Sequence, residues 1–436
     1  MNMPKSGVKE GPLVQISSLL LILSPMVYSV WLLLPAVQNA GRAVTGVCAV
    51  MLFALGALLD VEHLKKHWGD LLLRALCTAV LPIVLIALVG RGTMEQPLAY
   101  YVQFLMFFYP LTYCGYARQK GDARLWRYLK WVILACVCLT VATTIGWLIQ
   151  GILRSRTEGR IFAYSRSLGY AGNVDPAYLK ELMGRNIGGY DFIYAAVAAL
   201  PLCCVAALEK PKYRLRFALL AALMTVMIVL SQYTYAMIYA GAFWAVLGVA
   251  GILRKISRKK ISFGASLLWG VLPFALLLIF AFPLTQLAVH VCSGLGMTSL
   301  AHSFELLRSA LNGAMDEGSR LAYYLKAWQG FTQSPLVGSI FSGNHQLSLH
   351  SDLLDLLSGL GLVGTAAFAA LLYGAGHGAL KGLGQSPRRV WLRLSLVLVG
   401  ITAALGTVVY SREISAVVCF GALAILEADA PAGEEC

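Results

Sequence analysis

The chain has 436 residues, of which 58% are hydrophobic and 13% charged, and its formal net charge is +14. A soluble globular domain carries about 25% charged residues, so this composition excludes a soluble protein and indicates a single polytopic membrane domain, 1–436. The excess of Lys and Arg is typical of the positive-inside bias of membrane proteins, and no basic face is left free to bind nucleic acid.

The first apolar run, about 13–36, is predicted to begin the membrane domain. It is too long for the apolar region of a signal peptide, and no small-residue cleavage site follows it. Further runs come near the 20 apolar residues that cross a bilayer core. The sequence thus predicts an all-α fold with about 12 transmembrane helices, at 13–36, 43–60, 71–90, 97–117, 130–151, 189–208, 214–232, 233–253, 264–289, 351–374, 390–409 and 413–428.

Lys and Arg concentrate in alternate short loops, and this bias sets the expected orientation. The segments predicted to be cytoplasmic, together with both termini, are 5–9, 65–74, 118–130, 210–216, 254–260 and 381–393. Two large loops, 152–188 and 290–350, are then extracytoplasmic. Because long loops in compact proteins are usually functional or disordered, we expect the active site there. Most of the ten cysteines lie in apolar runs, which is typical of small apolar side chains rather than of a disulfide framework.

The loop 152–188 contains an arginine cluster that runs against the positive-inside bias. A guanidinium group presents a planar fork of donors that matches phosphate oxygens, so the cluster predicts a clamp for an anionic head group. The alternative is a solvated loop whose arginines pair with its own acidic residues or lie on anionic lipid. The members of the cluster are Arg154, Arg156, Arg160, Arg166 and Arg185.

The same loop closes with two glycines, Gly188 and Gly189, which let the backbone turn sharply or approach a ligand. Tyr190 and Asp191 follow at the start of the next apolar run. A carboxylate inside a bilayer is costly, which predicts that Asp191 pairs with a loop arginine. Equally, Asp191 favours the N-terminus of its own helix through the helix dipole, and the sequence does not choose between the two.

The second loop contains apolar residues at helical spacing, from Leu321 to Phe331. This spacing predicts an amphipathic helix at the membrane interface, and the run 333–338, Gln-Ser-Pro-Leu-Val-Gly, is predicted to end it. Arg320 stands at its start, where it either reaches a phosphate or is a surface residue.

The end of the second loop brings titratable groups against an apolar helix. Ser351 is a predicted N-cap, and Asp352 and Asp355 share one face of the first turns. His350, and with less reason His345, is a candidate general base because imidazole titrates near neutral pH and an adjacent carboxylate can orient it. The alternative is that both histidines are loop residues and Asp352 is a first-turn acid. No cysteine or acidic triplet completes a metal site around the two histidines, so neither a metal nor another cofactor is expected.

These late motifs resemble the O-antigen ligase and polymerase superfamily of bacterial surface-polysaccharide enzymes. In that family a large late loop ends in a His-Asn or His-Ser pair, followed by a Leu-rich helix and a Gly-x-x-Gly sequence. Here these are His350 and Ser351, the run 352–357, and 361–364. Many members have an acid just before the first glycine of the helix, whereas here that position is Gly359. Either an acidic role there is lost, or Asp355 one turn earlier takes it over.

Two further stretches support the resemblance. The family pattern of an arginine, an aromatic residue and Pro-Leu-x-Gly is matched by Arg320, Trp328 and 335–338. The run 188–194, Gly-Gly-Tyr-Asp-Phe-Ile-Tyr, is similar to capsule-type Wzy-like polymerases of Gram-positive bacteria. The resemblance is carried by motifs only in these stretches and by topology elsewhere.

The resemblance implies a metal-independent inverting glycosyltransferase of the C type in the bacterial cytoplasmic (inner) membrane. It would polymerise oligosaccharide repeat units carried on undecaprenyl diphosphate, and it would contact membrane lipid. A flippase and a chain-length regulator of the same pathway are further expected partners. His350 is the implied base and Arg320 the implied diphosphate contact. The remaining expected site residues are inferred from charge and position: Arg160, Arg166, Arg185, Asp352, Asp191, Tyr190, His345 and Asp355.

Two other functions remain open at this point. One is glycan ligation, in which the same donor is transferred to a lipid or protein acceptor. The other is a polysaccharide transporter or flippase. Mid-span charges are scarce, whereas ion-coupled transporters usually carry acidic residues there, and this pattern favours chemistry at an interface.

Overall fold

The structure is a computed structural model of the chain. It describes residues 11–89, 97–122, 124–157, 176–209, 211–256, 281–294, 301–302, 304–305, 308–309, 320–340, 347–376, 379, 387–409 and 411–423. Throughout these residues the regular structure is helical, and no strand occurs among them. The all-α prediction is therefore confirmed for the described part of the chain.

The helices are numbered here in chain order, and a short 3-10 turn, Pro211–Tyr213, precedes α9. Their bounds are α1 Pro12–Leu33, α2 Pro35–Leu59, α3 Val61–Val89, α4 Pro97–Lys120, α5 Arg124–Arg127, α6 Leu129–Thr157, α7 Pro176–Gly184, α8 Tyr190–Glu209, α9 Arg214–Ser231, α10 Thr234–Ile256, α11 Ala281–Gly294, α12 Arg320–Gln333, α13 Asp352–Gly376, α14 Pro387–Leu405 and α15 Arg412–Gly421.

Six helical segments in the described residues are long and apolar enough to cross a membrane, or seven if a bent pair in α2 counts as one span. The twelve predicted spans are therefore established only in part. Of the other helices, α15 has 10 residues and is too short to count as a membrane-crossing helix. Most of the predicted span 264–289 lies outside the described residues. The full count of twelve stays a prediction.

The first predicted span, 13–36, ends earlier than its apolar run. Helix α1 stops at Leu33, and α2 begins at once with Pro35. Proline lacks the N–H that would continue the helix, and its ring disfavours helical geometry in the preceding residue. Leu34 accordingly adopts an extended conformation. Helix α2 then bends by 89° between 35–41 and 44–59, close to the predicted start of the second span at 43.

Helix α8 lies at the centre of the bundle. Its sequence is rich in alanine, and small side chains let neighbouring helices approach closely. It packs against α9, α14 and α15, and 89% of its most apolar 18-residue window is buried inside the protein. Beside it, an aromatic cluster with ring centroids 4.9–6.2 Å apart joins α1, α4 and α15, and its members are Tyr28, Tyr109, Tyr113 and Phe420.

Helix α12 occupies the stretch predicted from helical spacing and ends at Gln333, where the Ser-Pro sequence begins. Its predicted apolar face is not uniformly buried. Leu325 and Trp328 remain exposed on the protein surface, whereas Ala327 is fully buried. The small residues Ala327 and Gly330 thus face the bundle, and two of the large apolar side chains point away from it.

The turn after α12 is joined to α13 by backbone hydrogen bonds. Helix α13 is interrupted at Gly361, whose φ is +65°. This kink opens the two helical bonds that Leu362 and Val363 would make to the carbonyls four residues earlier. The carbonyls and amides of α13 that the kink leaves unpaired form hydrogen bonds with 335–340 instead. These bonds run from Ser339 N to Ser358 O, Ile340 N to Gly359 O, Leu362 N to Pro335 O and Val363 N to Leu336 O, at 2.8–3.0 Å.

We call this junction the glycine splice. Gly338 has φ +71°, and a Cβ placed on it would lie 2.2 Å from Gly359 O. A Cβ on Gly361 would lie 2.5 Å from Gly338 N. The stretches 335–338 and 361–364 therefore meet in space at their glycines, and only glycine permits this backbone conformation at such close approach.

Candidate functional site

The N-terminus of α13 is built as the sequence predicts. Ser351 Oγ accepts a hydrogen bond from Leu354 N at 3.2 Å, the geometry of an N-cap. The same hydroxyl donates to Ala404 O at 2.6 Å. The cap therefore also ties α13 to the end of α14.

Asp355 fixes the turn that carries His350. Its Oδ1 accepts hydrogen bonds from Ser348 N at 2.6 Å and Ser348 Oγ at 2.7 Å. Ser348 Oγ in turn accepts from His350 N and Ser351 N, both at 3.0 Å. Asp355 is 6% exposed, and its buried charge is compensated by these donors. The acid one turn inside the helix thus positions the backbone of His350.

Asp352 has a different set of contacts. Its Oδ2 accepts hydrogen bonds from Val408 N and, at 3.1 Å, from Val409 N, and its own N–H donates to Gly406 O at 3.1 Å. Within the described residues its carboxylate bonds to these amides rather than to the His350 imidazole. Asp352 therefore holds residues 406–409 of the segment 406–411, which links α14 to α15 and is named the bridging loop.

His350 lies half-buried at the junction of α12 and α13. The ring of Tyr323, in α12, meets the imidazole edge to face with centroids 4.9 Å apart. The neighbouring Tyr324 hydroxyl donates to Leu405 O at 2.7 Å. The helix that was predicted from spacing alone is therefore the element that covers the candidate base.

A small cavity of about 50 Å³ lies beside this helix terminus. Both aspartates contribute to its wall, and the remaining lining side chains are mostly apolar. Its lining residues are Leu85, Leu88, Val89, Leu349, Asp352, Asp355, Leu356, Thr407 and Val409. It is too small for a sugar ring, so the cavity would admit at most a water or a single functional group.

Of the five loop arginines expected to bind an anion, Arg154 and Arg185 have described side chains, and both are exposed. Arg185 pairs with Glu181 at 2.7 Å and lies over the ring of Trp147 at 5.3 Å. This is the self-paired arrangement that the alternative interpretation of the loop anticipates. Arg160, Arg166 and His345 lie outside the described residues, as does the side chain of Arg320.

The chain before α8 is anchored by a polar network that positions Tyr190 and Asp191. Asn186, with φ +59°, donates through Nδ2 to Thr140 Oγ1 at 3.1 Å. Gly188 N donates to Thr144 Oγ1 at 2.8 Å. The turn thus depends on hydroxyl groups of α6 as well as on the glycines.

Among the described residues, Asp191 contacts the bridging loop and the start of α15. Its Oδ1 accepts a hydrogen bond from Ser411 Oγ, and it interacts electrostatically with Arg412. Tyr190 packs against Tyr194 and Tyr233, with ring centroids 4.6 and 5.1 Å apart. Asp191 and Asp352 therefore hold opposite ends of one six-residue loop.

Two residues of this region, Arg412 and Glu413, were not singled out from the sequence. Glu413 is 6% exposed, and its Oε1 accepts a hydrogen bond from Gln38 Nε2 at 3.3 Å. The available signal was an Arg-Glu pair at the start of the last apolar run. In the described part of the chain, no three His, Cys, Asp or Glu side chains converge as a metal site.

Comparison of the chain with protein-family models, with curated proteins and with solved structures finds no match. In the described part of the chain, the fold is all-helical and has six or seven segments suited to cross a membrane.

Proposed function

We propose that the protein polymerises undecaprenyl-diphosphate-linked oligosaccharide repeat units into surface polysaccharide. The proposal includes twelve spans in the bacterial cytoplasmic membrane, a glycosyltransferase of the C type, cytoplasmic termini and an extracytoplasmic active site at the N-terminus of α13. It rests on the motif resemblance and on the arrangement around His350.

The observation that carries the proposal is the placement of His350. It follows a turn fixed by the buried Asp355 through Ser348, and it lies against Tyr323 at the edge of α12. A half-buried imidazole on a rigid turn is suited to general-base catalysis, because catalytic groups need a fixed position relative to the reacting hydroxyl.

In the proposed reaction, an imidazole nitrogen of His350 takes the proton of an acceptor-sugar hydroxyl. The oxygen then forms a bond to the anomeric carbon of the donor, and the bond from that carbon to the diphosphate oxygen breaks with inversion. Arg320, with Arg160, Arg166 or Arg185, stabilises the charge on the departing lipid diphosphate. Asp355 and Asp352 act as positioning residues, the first through the His350 turn and the second through the bridging loop.

The test is polymerisation by the purified full-length protein, reconstituted with lipid-linked repeat units. His350→Ala should lower the rate by about 10²–10⁴-fold, the usual contribution of general-base catalysis. His290→Ala, an exposed histidine of α11, is the matched control and should retain the wild-type rate. If His350→Ala formed polymer at nearly the wild-type rate, His350 would not be the general base.

Arg320→Lys tests the diphosphate contact separately. Lysine keeps the charge but loses the planar fork, so a bidentate contact predicts a clear loss of rate, and full activity would show that a point charge suffices. The same reaction products distinguish polymerisation from ligation: a ladder of repeat units supports the proposal, whereas transfer of single units to another lipid would replace it with the ligase function.

A further inference from the structure

A second polar cluster lies at the α15 end of the bridging loop. It joins four helices through Trp31 of α1, Gln38 of α2, Asp191 of α8, and Arg412 and Glu413 of α15. Arg412 lies with its guanidinium carbon 5.3 Å from the centroid of the Trp31 ring. Gln38 reaches Glu413 at 3.3 Å. Elements far apart in sequence thus bring donors, acceptors and an aromatic ring to one place.

Three polar atoms of this cluster are buried without a hydrogen-bond partner among the described residues: Trp31 Nε1, Arg412 Nε and Glu413 Oε2. Trp31 is 1% and Glu413 is 6% exposed, so water at the surface does not satisfy them. Buried polar groups are normally paired, and three orphans in one cluster indicate a bound polar group. Gln38, Asp191 and Arg412 are half-buried and form the side through which it would enter.

The chemistry of the cluster selects among ligands. Two orphans are N–H donors and one is a carboxylate acceptor, so the ligand must both accept and donate. The ionised phosphates of a lipid-linked diphosphate only accept hydrogen bonds, and their negative charge would be repelled by Asp191 and Glu413. A sugar hydroxyl meets both requirements, since it can donate to Glu413 Oε2 while it accepts from an N–H group.

The cluster is also close to the candidate active site. Asp352 bonds to Val409 N at 3.1 Å, and Arg412 follows three residues later. Three residues of fully extended chain span about 11 Å at most. The two sites can therefore contact neighbouring parts of one oligosaccharide.

We propose that Trp31, Arg412 and Glu413 form a subsite that binds hydroxyl groups of the acceptor sugar. This inference rests on the proposed function, which it deepens by giving the acceptor a binding site distinct from the His350 turn. Glu413 accepts a hydroxyl proton in a hydrogen bond, and Arg412 and Trp31 donate to sugar oxygens.

Binding is tested first, independently of activity. The probe is the repeat-unit oligosaccharide released from its lipid by mild acid, added to the full-length protein in nanodiscs. Glu413 is labelled with a hydrophobic carbodiimide, and the modified peptides are quantified by mass spectrometry. The oligosaccharide should protect Glu413 but not Asp122, a carboxylate that pairs with Arg124 at 3.0 Å elsewhere in the chain. Equal labelling with and without oligosaccharide would overturn the subsite.

Kinetics then separate this inference from the proposed function. With lipid-linked donor saturating and the soluble oligosaccharide as acceptor, Glu413→Gln should raise the acceptor KM by about 10- to 100-fold, as expected for loss of a hydrogen bond to a charged group. The donor KM should stay unchanged, and Asp122→Asn should match the wild type. An unchanged acceptor KM in Glu413→Gln overturns the subsite while leaving the polymerase intact, and shows that the orphan atoms hold only water.

If the wild-type protein forms no polymer from any lipid-linked repeat, the proposed function fails, and protection of Glu413 alone still decides whether sugar binds. If Glu413→Gln does not fold, Trp31→Phe replaces it, because it removes only the Nε1 donor and keeps an aromatic ring under Arg412. A raised acceptor KM in Trp31→Phe supports the subsite, and an unchanged one overturns it.

Discussion

Replacing Gly338 by alanine should damage the protein far more than its small change in size suggests. Gly338 sits in the glycine splice with φ +71°, and its missing Cβ leaves room for the backbone of α13. An added Cβ would lie 2.2 Å from Gly359 O and 2.4 Å from Gly361 N. Both neighbours are backbone atoms of a kinked helix, so neither can rotate away as a side chain would.

The magnitude follows from two contributions. Left-handed backbone costs an alanine about 1–2 kcal/mol. The clash forces the turn 335–340 away from α13, which breaks up to four backbone hydrogen bonds, each contributing about 0.5–1.5 kcal/mol. If all four break, Gly338→Ala loses about 3–8 kcal/mol, a large fraction of the 5–15 kcal/mol typical of a folded domain.

Two other glycines separate the contributions. Gly121 has φ +69° but nothing within 4 Å of its added Cβ, so Gly121→Ala carries the backbone strain alone. Gly241, inside α10, has neither strain nor a close neighbour, so its alanine variant should be neutral or more stable by up to about 1 kcal/mol. Thermal unfolding of the three variants in one detergent should rank Gly338→Ala well below Gly121→Ala. Equal melting temperatures for these two would refute the role of the splice.

Asp352→Asn should destabilise the protein by about 1–3 kcal/mol, because an amide oxygen replaces a carboxylate that accepts two hydrogen bonds from the backbone of 408–409. Limited proteolysis within the bridging loop measures the effect, and wild-type resistance would contradict it. A pH effect is expected at Asp60. Burial alone would raise the pKa of its carboxyl, but the ammonium of Lys120 at 2.6 Å lowers it below the ordinary value. The hydroxyl of Tyr116, which donates to the same carboxylate at 2.9 Å, and the charge of His63 contribute less to lowering this pKa. The stabilisation by this pair is therefore fully present above the unfolded pKa of about 3.9 and is lost as the pH falls through the folded pKa. The stability gap between wild type and Asp60→Asn should shrink below about pH 4, and a gap that stays constant from pH 7 to pH 3 would exclude this electrostatic effect.

Local signals allowed part of the structure to be predicted. The Ser-Pro sequence after Gln333 ends α12, and Ser351 caps α13, because both depend on the backbone chemistry of one or two residues. The break between α9 and α10 also falls at the predicted boundary between 214–232 and 233–253, where the left-handed Gln232, with φ +55°, ends α9. These features need no information about distant neighbours.

The roles of the acidic residues could not be predicted in the same way. Asp352 and His350 are close in sequence, which suggested a direct pairing, but the Asp352 carboxylate faces amides more than 50 residues away. Likewise Asp191 meets Ser411, 220 residues later, a partner that was not predicted from the sequence. Such pairings follow from helix packing, and a single sequence contains no local pattern that specifies them.

The bridging loop connects the contacts of Asp352 with those of Asp191. Its Val408 and Val409 amides bond to Asp352 at the start of α13, and its Ser411 bonds to Asp191 at the start of α8. Both carboxylates are needed because the loop has to satisfy buried donors at each end. A substitution of Asp191 should therefore disturb the N-terminus of α13, although Asp191 does not itself bond to that terminus. Asp191→Asn is expected to increase proteolysis of 406–411 in the same way as Asp352→Asn, and the double variant should be no worse than either single one if the two act on a common element. Fully additive losses would show instead that the two ends of the loop are independent.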